Sequence, residues 1–481
     1  MRKKTLAIIG NGMATCRLLD ELIERKATAR FEVVVFGEEK GGAYNRILLS
    51  KVLAGAAPAD IVTKPRGWYE ARGVRLFDGA VVKRLDTGAK QVETADGAIH
   101  RYDAAVLATG SQPLVPPLEG MTTDDGELRP GVFVYRTMDD CIRMRAHARP
   151  GDSAVVVGGG LLGLEAAKVL SDRGLHVTVI HASKTLMNLQ LDELGGEMLE
   201  REIERCGIFV RTARTVEAIL SGPGDLLVEG VRLDDGKTLA ADMVVLACGV
   251  RPRVEVARAS GIPINRGVIV NDALATEAPG VYAIGECAEH AAKTYGIVAP
   301  AWEQAAVLAD ILSGTNPQAR YRGSKLYTRL KVAGVDVASM GRVEPELESD
   351  EVIQIVETRR GAYRKMIVRD GKLVGAVFVG NTGAAATLVQ LFDRGDPLPA
   401  DPLEALCPGA AFGAGAPADR TVCTCHKVSE SRLCEAIAAG ACSLEALGEL
   451  TKAGTGCGSC KQELVQLIAR QAPPPKLAAA G

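Results

Sequence analysis

The fold is decided by the stretch Ser153-Ala154-Val155-Val156-Val157-Gly158-Gly159-Gly160-Leu161-Leu162-Gly163. Its first five residues predict a buried β-strand, and the glycines that follow predict a tight turn into a helix. Glycines at such a turn let the backbone approach a pyrophosphate, whose charge the helix N-terminus stabilises. We therefore predict a Rossmann-type dinucleotide site that includes Gly158, Gly160, Leu161, Leu162 and Gly163.

The next strand of this predicted fold, residues 176–180, ends at His181. An acidic residue at this position favours the ribose of NAD, and a basic residue favours the 2′-phosphate of NADP. With Lys184 nearby, His181 leaves the choice between the two coenzymes open. A solvated residue at the end of a strand is an equal alternative to a nucleotide contact.

A second glycine-rich turn lies near the start of the chain, at Gly10-Asn11-Gly12-Met13-Ala14-Thr15. It follows a hydrophobic strand and is predicted to open a helix from Cys16 to Arg25. Thr15 stands where such turns usually have a third glycine or an alanine. The following strand, residues 31–36, leads to Glu38, whose carboxylate is expected to accept hydrogen bonds from a ribose diol. We predict that this turn binds a second dinucleotide through Gly10, Gly12, Met13 and Ala14.

Composition narrows the functional classes. The chain has 481 residues, with 57 basic and 59 acidic side chains, so no basic surface field indicates nucleic acid or an anionic membrane. This length is enough for about three to four domains. No apolar run reaches the ~18 residues of a membrane helix. The twelve cysteines include eight that are scattered, which favours a reducing cytoplasm.

Four cysteines near the C-terminus have the spacing of metal ligands: Cys423, Cys425, Cys457 and Cys460. Zinc sites usually have C-x2–4-C pairs, whereas the first pair here is C-x-C. The second pair lies in a loop of small residues, 453–460, whose N–H groups can face sulfides. The pattern favours an iron–sulfur cluster, with a structural zinc site or disulfides as alternatives.

The two dinucleotide folds are joined by two further segments, residues 105–111 and 280–286, and this order resembles the pyridine nucleotide–disulfide class of flavoprotein reductases. The resemblance implies an α/β fold in which an NAD(P)-binding Rossmann domain is inserted into an FAD-binding one. It implies FAD and NAD(P)H as cofactors, with further contacts at Asn45, Arg46, Ser50, Val82, Thr109, Gly110, Gly249, Gly285 and Glu286.

The segment 41–51 contains no cysteine, although disulfide reductases of this class carry a C-x4-C pair there. A dithiol relay is therefore excluded. Lys51 and Glu165 instead match the Lys–Glu pair that ferredoxin-reductase relatives place beside the flavin N5. The resemblance implies a catalytic role for both residues, in which the cation favours reduced flavin and the carboxylate holds the lysine. The alternative for Lys51 is an ordinary surface lysine.

The C-terminal third is expected to contain four further parts. Alternating apolar residues over 321–400 predict an antiparallel sheet, which the resemblance makes an α+β interface domain. A Gly/Ala/Pro-rich linker over 401–420 precedes a small helical domain at 421–470 that resembles the bacterioferritin-associated ferredoxin-like [2Fe–2S] module. Residues 471–481 are predicted to be a disordered tail.

The FAD-binding domain is expected at 1–115 and 250–320, and the NAD(P)-binding domain at 116–249.

Four short strings narrow the resemblance: 43–50, 190–193, 284–290 and 330–337. They are similar to the flavin-binding portion of assimilatory NAD(P)H nitrite reductases and to the electron-transfer component of assimilatory nitrate reductases. The sirohaem-domain cysteine pairs of nitrite reductases are not found, so we expect the chain to need a separate catalytic partner. The resemblance implies that this partner is the molybdenum subunit of nitrate reductase, which accepts the electrons. The alternatives are the electron-input component of a nitrite reductase, or an NADH oxidase or redox sensor with a zinc-type docking domain.

Overall fold

The structure is a computed structural model that describes residues 3–222, 227–332, 334–407, 419, 421–423, 426–456, 458 and 460–471. The helices of this described part, in chain order, are α1 (Met13–Glu24), α2 (Leu49–Ala54), α3 (Arg66–Glu70), α4 (Met138–His147), α5 (Leu161–Asp172), α6 (Glu193–Arg205), α7 (Glu255–Ala259), α8 (Val298–Ser313), α9 (Ala385–Arg394), α10 (Glu430–Ala438), α11 (Leu444–Thr451) and α12 (Lys461–Gln471).

The strands are short, as is usual for α/β proteins, and most contain two to eight residues. In chain order they are β1 (Lys4–Ile9), β2 (Phe31–Gly37), β3 (Ala43–Tyr44), β4 (Val62–Lys64), β5 (Arg75–Asp78), β6 (Val82–Asp86), β7 (Gln91–Thr94), β8 (Ile99–Arg101), β9 (Ala104–Leu107), β10 (Ser111–Pro113), β11 (Val132–Val134), β12 (Ser153–Val157), β13 (His176–Ile180), β14 (Phe209–Arg211), β15 (Val216–Ser221), β16 (Val228–Leu233), β17 (Thr238–Ala240), β18 (Met243–Leu246), β19 (Val250–Pro252), β20 (Val268–Val270), β21 (Val281–Ala283), β22 (Ala288–His290), β23 (Tyr327–Val332), β24 (Val335–Gly341), β25 (Glu351–Glu357), β26 (Ala362–Arg369), β27 (Lys372–Val379), β28 (Thr421–Cys423) and β29 (Val428–Ser429).

The chain divides into two compact units. The first consists of residues 1–150, 221–228 and 243–324, and the second of residues 151–220, 229–242 and 325–481. The early segments of the second unit are thus inserted between segments of the first. This interrupted order confirms the predicted α/β fold class with one nucleotide-binding domain inserted into another. No helix among the described residues is both long and apolar enough to cross a bilayer.

The first unit is built on a five-stranded parallel sheet with the strand order β21-β9-β1-β2-β5. Its central strand β1 runs Leu6-Ala7-Ile8-Ile9, and all four side chains are buried. Such continuous apolar runs are typical of parallel strands covered on both faces. The helix after β1 begins at Met13, earlier than the predicted Cys16, because Gly12 already serves as its N-cap.

In the second unit, β12, β13 and β14 are parallel neighbours. β12 and β13 have the bounds that the apolar runs predict, residues 153–157 and 176–180. Helix α5 packs on both strands, and α6 packs on β14.

The remaining sheet of the second unit is antiparallel, with the strand order β23-β24-β27-β26-β25. This confirms the predicted antiparallel sheet. Its β26–β27 turn contains Asp370 and Gly371, which have φ angles of 49° and 70°. Two positive φ angles are what a tight hairpin turn of this kind requires.

A buried polar network ties α6 to this sheet. Asp192 caps α6 by accepting the Gly195 N–H at 3.1 Å, and its second oxygen accepts from the Tyr363 hydroxyl at 2.6 Å and from Lys365 Nζ at 2.8 Å. Lys365 also donates to Glu344 at 2.8 Å. Because Asp192 and Lys365 are both buried, each charge needs the other, and the network holds the helix in one position on the sheet.

The part of the chain predicted to be a linker includes a packed segment. Residues Pro402–Leu406 form a short 3-10 helix, and Leu406 is fully buried against the antiparallel sheet, where its carbonyl accepts from Arg364 at 2.9 Å. Residues 408–418 and 420 of the predicted linker, and 472–481 of the predicted tail, lie outside the described residues.

The C-terminal helices α10, α11 and α12 enclose a small core of their own, which includes Leu433, Leu447 and Leu464. Glu463 of α12 lies 3.9 Å from Arg329 of β23, so this domain lies against the antiparallel sheet within the second unit. Its secondary structure confirms the small helical domain expected from the sequence.

Candidate functional site

The first glycine-rich turn has the geometry of an anion-binding helix N-terminus. Gly10 has a φ of +105°, and a Cβ there would overlap the carbonyl oxygen of Ala108. Gly12 caps α1 without any side-chain hydrogen bond, and a Cβ at Gly12 would meet nothing within 4 Å. The first N–H groups of α1, at Met13 and Ala14, have no partner within the helix itself, as at any helix N-terminus. This cradle fits the pyrophosphate of a dinucleotide.

Thr15, which departs from the usual motif, is accommodated by a hydrogen bond. Its side chain is fully buried, and its hydroxyl donates to the carbonyl oxygen of Gly10 at 2.7 Å. The threonine thus ties the helix back to the glycine turn.

The carboxyl ends of neighbouring parallel strands bring further predicted residues to the same edge. Thr109, after β9, donates its hydroxyl to the carbonyl oxygen of Arg253 at 2.7 Å, and Gly110 accepts from the Arg253 N–H at 2.9 Å. Gly285 donates its N–H to Gln304 at 2.7 Å, and a Cβ at Gly285 would lie 3.0 Å from Ala14. The structure therefore gathers the first turn, the 109–110 turn and the 285 turn, as the sequence predicts.

Glu38, the predicted ribose ligand, follows β2 and has a partner that the sequence did not reveal. Arg253 binds the Glu38 carboxylate with both terminal guanidinium nitrogens: Nη1 contacts Oε2, and Nη2 lies 3.1 Å from Oε1. The carboxylate is thereby held in one orientation at the strand end. The hydrogen bonds that Arg253 donates to Glu38 are the main cause of the raised pKa of Arg253, which stays protonated.

We expect Arg253→Gln to weaken FAD binding about 3–10-fold, because Glu38 loses the cation that orients it while remaining partly solvated. The measurement is titration of apoprotein with FAD by flavin fluorescence. Arg251→Gln, which removes an exposed arginine two residues away, is the matched control. Equal effects of the two substitutions would show that Arg253 acts only through net charge.

Asn45 and Arg46 lie in the approach to α2 and have intramolecular roles. The Asn45 side chain accepts from the Ile47 N–H at 3.1 Å and caps the 3-10 turn at 46–48. Arg46 donates to Glu39 at 2.6 Å and to the Arg136 carbonyl at 2.5 Å. Hydrogen bonds within the protein therefore fix the orientation of both side chains.

Glu286 belongs to a second ion pair that sequence patterns did not predict. Arg136 Nη2 contacts its carboxylate, and Ser111 Oγ donates to the same oxygen at 2.6 Å. The two partners lie 150 and 175 residues away in the chain, which no local motif can indicate.

The other predicted FAD-domain residues occupy different settings. Ser50 is half-buried in α2, and Lys51 is exposed one residue later. Val82 is buried in the core at the start of β6. Gly249 has a φ of +103° and accepts from the Leu114 N–H at 2.9 Å. The roles of these residues toward a cofactor remain predictions.

The second glycine-rich turn repeats the geometry of the first within the second unit. Gly158 has a φ of +123°, and Gly160 caps α5 without a side-chain hydrogen bond. A Cβ at Gly160 would meet nothing within 4 Å. The first turn of α5 includes Leu161, Leu162 and the buried Gly163, and its N–H groups have no partner within the helix itself. This turn also fits a pyrophosphate.

Glu165, the predicted partner of Lys51, lies in the second turn of α5. Burial raises the pKa of its carboxyl from 4.5 to about 7. The two residues belong to different units, so their pairing stays a prediction.

This pKa makes stability depend on pH. The unfolded carboxyl ionises near pH 4.5 and the folded one near 7, so the folded state binds the extra proton between these values. Stability should therefore fall as pH rises through this window. We expect Glu165→Gln to be more stable than the wild type by about 1–3 kcal/mol at pH 8, with the difference vanishing below pH 5.

Thermal unfolding of both proteins between pH 5 and 8 measures the effect. A Lys51 ammonium beside Glu165 would hold the carboxyl pKa low instead. In that case Glu165→Gln would be the less stable protein at pH 8, so the sign of the difference tests the predicted pair.

His181, at the end of β13, contacts the glycine turn. Its Nδ1 accepts the Gly159 N–H at 3.1 Å, and a Cβ at Gly159 would lie 2.9 Å from the ring. Burial lowers the pKa of His181, while hydrogen bonds to Asn188 and Thr185 oppose that shift. The imidazole is therefore neutral near pH 7, with its proton on Nε2.

Two of the four predicted metal ligands are described. Cys423 ends β28 and Cys460 immediately precedes α12, and both are buried in the core of the small domain. The carbonyl of Cys460 accepts the Leu464 N–H at 2.9 Å, so this cysteine lies at the helix N-terminus, where a thiolate is stabilised. Cys425 and Cys457 lie outside the described residues. The two buried thiols fit the thiolate ligand set of an iron–sulfur cluster.

Two nucleotide-binding turns, an antiparallel C-terminal sheet and a cysteine domain are the parts of a pyridine-nucleotide-dependent reductase with an added metal domain. The chain belongs to the pyridine nucleotide-disulphide oxidoreductase family, whose model matches residues 4–305. The rubredoxin NAD+ reductase C-terminal domain matches residues 327–395, and the BFD-like [2Fe-2S] binding domain matches residues 421–470. These families imply FAD, NAD(P)H and a [2Fe–2S] cluster as cofactors.

Known proteins resemble almost the whole chain. A nitrite reductase [NAD(P)H] of Bacillus subtilis is 38% identical over 97% of this chain and 58% of its own length. The assimilatory nitrate reductase electron transfer subunit of the same organism is 36% identical over 97% of this chain and 60% of its own length. This chain thus spans about three fifths of these relatives. A ferredoxin reductase from Rhodopseudomonas palustris, 24% identical over 86% of this chain and 100% of its own, shares the fold with a TM-score of 0.76.

Proposed function

We propose that this chain oxidises NAD(P)H at FAD and passes the electrons through a [2Fe–2S] cluster to a separate catalytic protein. One observation carries the proposal. The same chain has two helices whose N-cap is a glycine without a side-chain hydrogen bond, and a small domain whose core includes two of the predicted ligand cysteines. A nucleotide-dependent hydride acceptor needs the first two features, and an electron exit needs the third.

Bound FAD would take two electrons as hydride and release them singly, as an iron–sulfur cluster requires. The residues of the chain bind and orient the cofactors. The N-terminus of α1 holds the FAD pyrophosphate, with Glu38 at the adenosine ribose, and the N-terminus of α5 holds that of NAD(P)H. Lys51 supplies positive charge at the flavin, and the second proposed catalytic residue is Glu165, a carboxyl whose pKa is raised by burial. Cys423, Cys425, Cys457 and Cys460 ligate the cluster.

We assign the FAD-binding domain to residues 1–115 and 250–320 and the NAD(P)-binding domain to 116–249. The interface domain then comprises 321–400, and the cluster domain 421–470. The packed 3-10 helix at Pro402–Leu406 shows that the first residues of the predicted linker belong to the folded part of the chain.

We propose the molybdenum subunit of an assimilatory nitrate reductase as the electron acceptor. The relative named as an electron transfer subunit of that enzyme supports this partner, because its similarity extends over 97% of this chain and includes the cysteine domain. Such a partner would bind nitrate, and this chain would supply only reducing equivalents.

The test combines the anaerobic, cofactor-loaded protein with a purified molybdenum nitrate reductase subunit and NAD(P)H. We expect nitrate-dependent NAD(P)H oxidation that requires both proteins. Flavin reduction without any nitrate-dependent turnover would contradict the proposed partner.

A second candidate is the electron-input part of a nitrite reductase, favoured by the 38% identity to a protein of that name. The same assay with a sirohaem nitrite reductase domain in place of the nitrate reductase distinguishes the two. Turnover with nitrite and none with nitrate would establish the second candidate.

A further inference from the structure

The second strands of the two nucleotide-binding folds, β2 and β13, are followed by different types of residue. In the first unit, β2 is followed by Glu38, a carboxylate suited to a ribose diol with a free 2′-hydroxyl. In the second unit, β13 is followed by residues 181–188, which contain no carboxylate. The comparison within one chain shows that the coenzyme fold lacks the acceptor that the FAD fold has.

His181 does not replace that acceptor. Its Nδ1 already accepts the Gly159 N–H, and its remaining nitrogen carries the proton. A ring in this state can donate a hydrogen bond but cannot accept one from a ribose hydroxyl. The residue at the usual acidic position therefore stabilises the glycine turn and gives no preference for an unphosphorylated ribose.

Cations surround the same strand ends. The loop after β13 is hydrogen-bonded to the end of β14: the His181 N–H donates to the Arg211 carbonyl at 2.9 Å, and the Ala213 N–H donates to Ser183 at 2.9 Å. The backbone at exposed Lys184 therefore follows a segment that is bonded to the end of β14, which carries exposed Arg211. A third cation, Arg214, is held by Asp235, 3.3 Å away.

Lys184 and Arg211 differ from Arg214 in having no counter-charge among the described residues. Within the part of the chain that the structure describes, neither side chain makes a hydrogen bond or an ion pair. Two uncompensated cations at the carboxyl ends of adjacent parallel strands, next to a cradle for a pyrophosphate, form an electrostatic site for a second phosphate.

We infer that Lys184 and Arg211 form a 2′-phosphate subsite and that NADPH is the preferred coenzyme. The inference rests on the proposed NAD(P)H oxidation and specifies its substrate. The phosphate would lie between the ammonium and guanidinium groups, and NADH would leave both cations without a partner.

Two measurements test the subsite. The first is stopped-flow reduction of the flavin in the FAD-loaded full chain, comparing the rate constant divided by Kd for NADPH and NADH. We expect NADPH to be favoured at least about tenfold, and the NADPH/NADH ratio to fall about tenfold or more in Lys184→Gln/Arg211→Gln. Lys168→Gln/Arg205→Gln removes two cations from helices of the same unit and is the matched control.

The second measurement is calorimetric binding of adenosine 2′,5′-bisphosphate and of 5′-AMP, which needs no electron transfer. Tighter binding of the bisphosphate than of 5′-AMP, with the difference lost in Lys184→Gln/Arg211→Gln, supports the subsite. If neither coenzyme reduces the flavin, the proposed function is refuted, but this binding result still supports the subsite. A preference for NADH and 5′-AMP in the wild type, or equal losses for both nucleotides in the double variant, would overturn the inference.

Discussion

Replacing Cys460 by serine is expected to abolish electron exit while affecting flavin reduction far less. Cys460 is buried at the N-terminus of α12, where it is one of the four proposed cluster ligands. A cluster with a missing thiolate is lost or shifted in potential, so transfer to an acceptor should fall by about two orders of magnitude. The nucleotide-binding turns lie elsewhere in the chain and keep their geometry.

Stopped-flow reduction by NAD(P)H and steady-state reduction of a one-electron acceptor measure the two steps separately. Cys457→Ser should behave in the same way. Cys442→Ser, which changes an exposed cysteine of the same domain, is the control. Equal losses in both steps for Cys460→Ser would contradict a separate electron exit.

Gly10→Ala and Gly12→Ala are both expected to weaken FAD binding, but for different reasons. At Gly10, the φ of +105° is unfavourable for alanine, and the added Cβ would overlap the Ala108 carbonyl. We expect this substitution to cost about 3–5 kcal/mol of stability and to prevent FAD retention. At Gly12 the φ is −93° and a Cβ would meet open space, so stability should hardly change.

FAD affinity should nevertheless fall about 10–100-fold in Gly12→Ala, because that open space is where the pyrophosphate approaches the backbone. Thermal unfolding of the apoproteins and FAD titration give the two readouts. Normal FAD affinity in Gly12→Ala would show that the pyrophosphate does not bind at this turn.

Local patterns predicted most of the fold. Strands β12 and β13 have the predicted bounds, because apolar runs act over a few residues. The start of α1 was wrong by three residues, since Gly12 can cap a helix without a polar side chain.

The site was less predictable where it depends on residues distant in sequence. Arg253 meets Glu38 across 215 positions and Arg136 meets Glu286 across 150, and such pairs exist only after the strands assemble. The orientation of His181 toward Gly159 was likewise invisible, because a sequence gives the residue and not its rotamer.

The most direct test of electron transfer through an iron–sulfur centre is the cofactor content and reduction of the anaerobically reconstituted chain. We predict one FAD, two irons and two acid-labile sulfides per chain, as one [2Fe–2S] cluster requires. A paramagnetic cluster signal should appear on addition of NAD(P)H. Bound zinc with no sulfide, and a spectrum of flavin alone, would contradict the account and favour a docking or sensor domain.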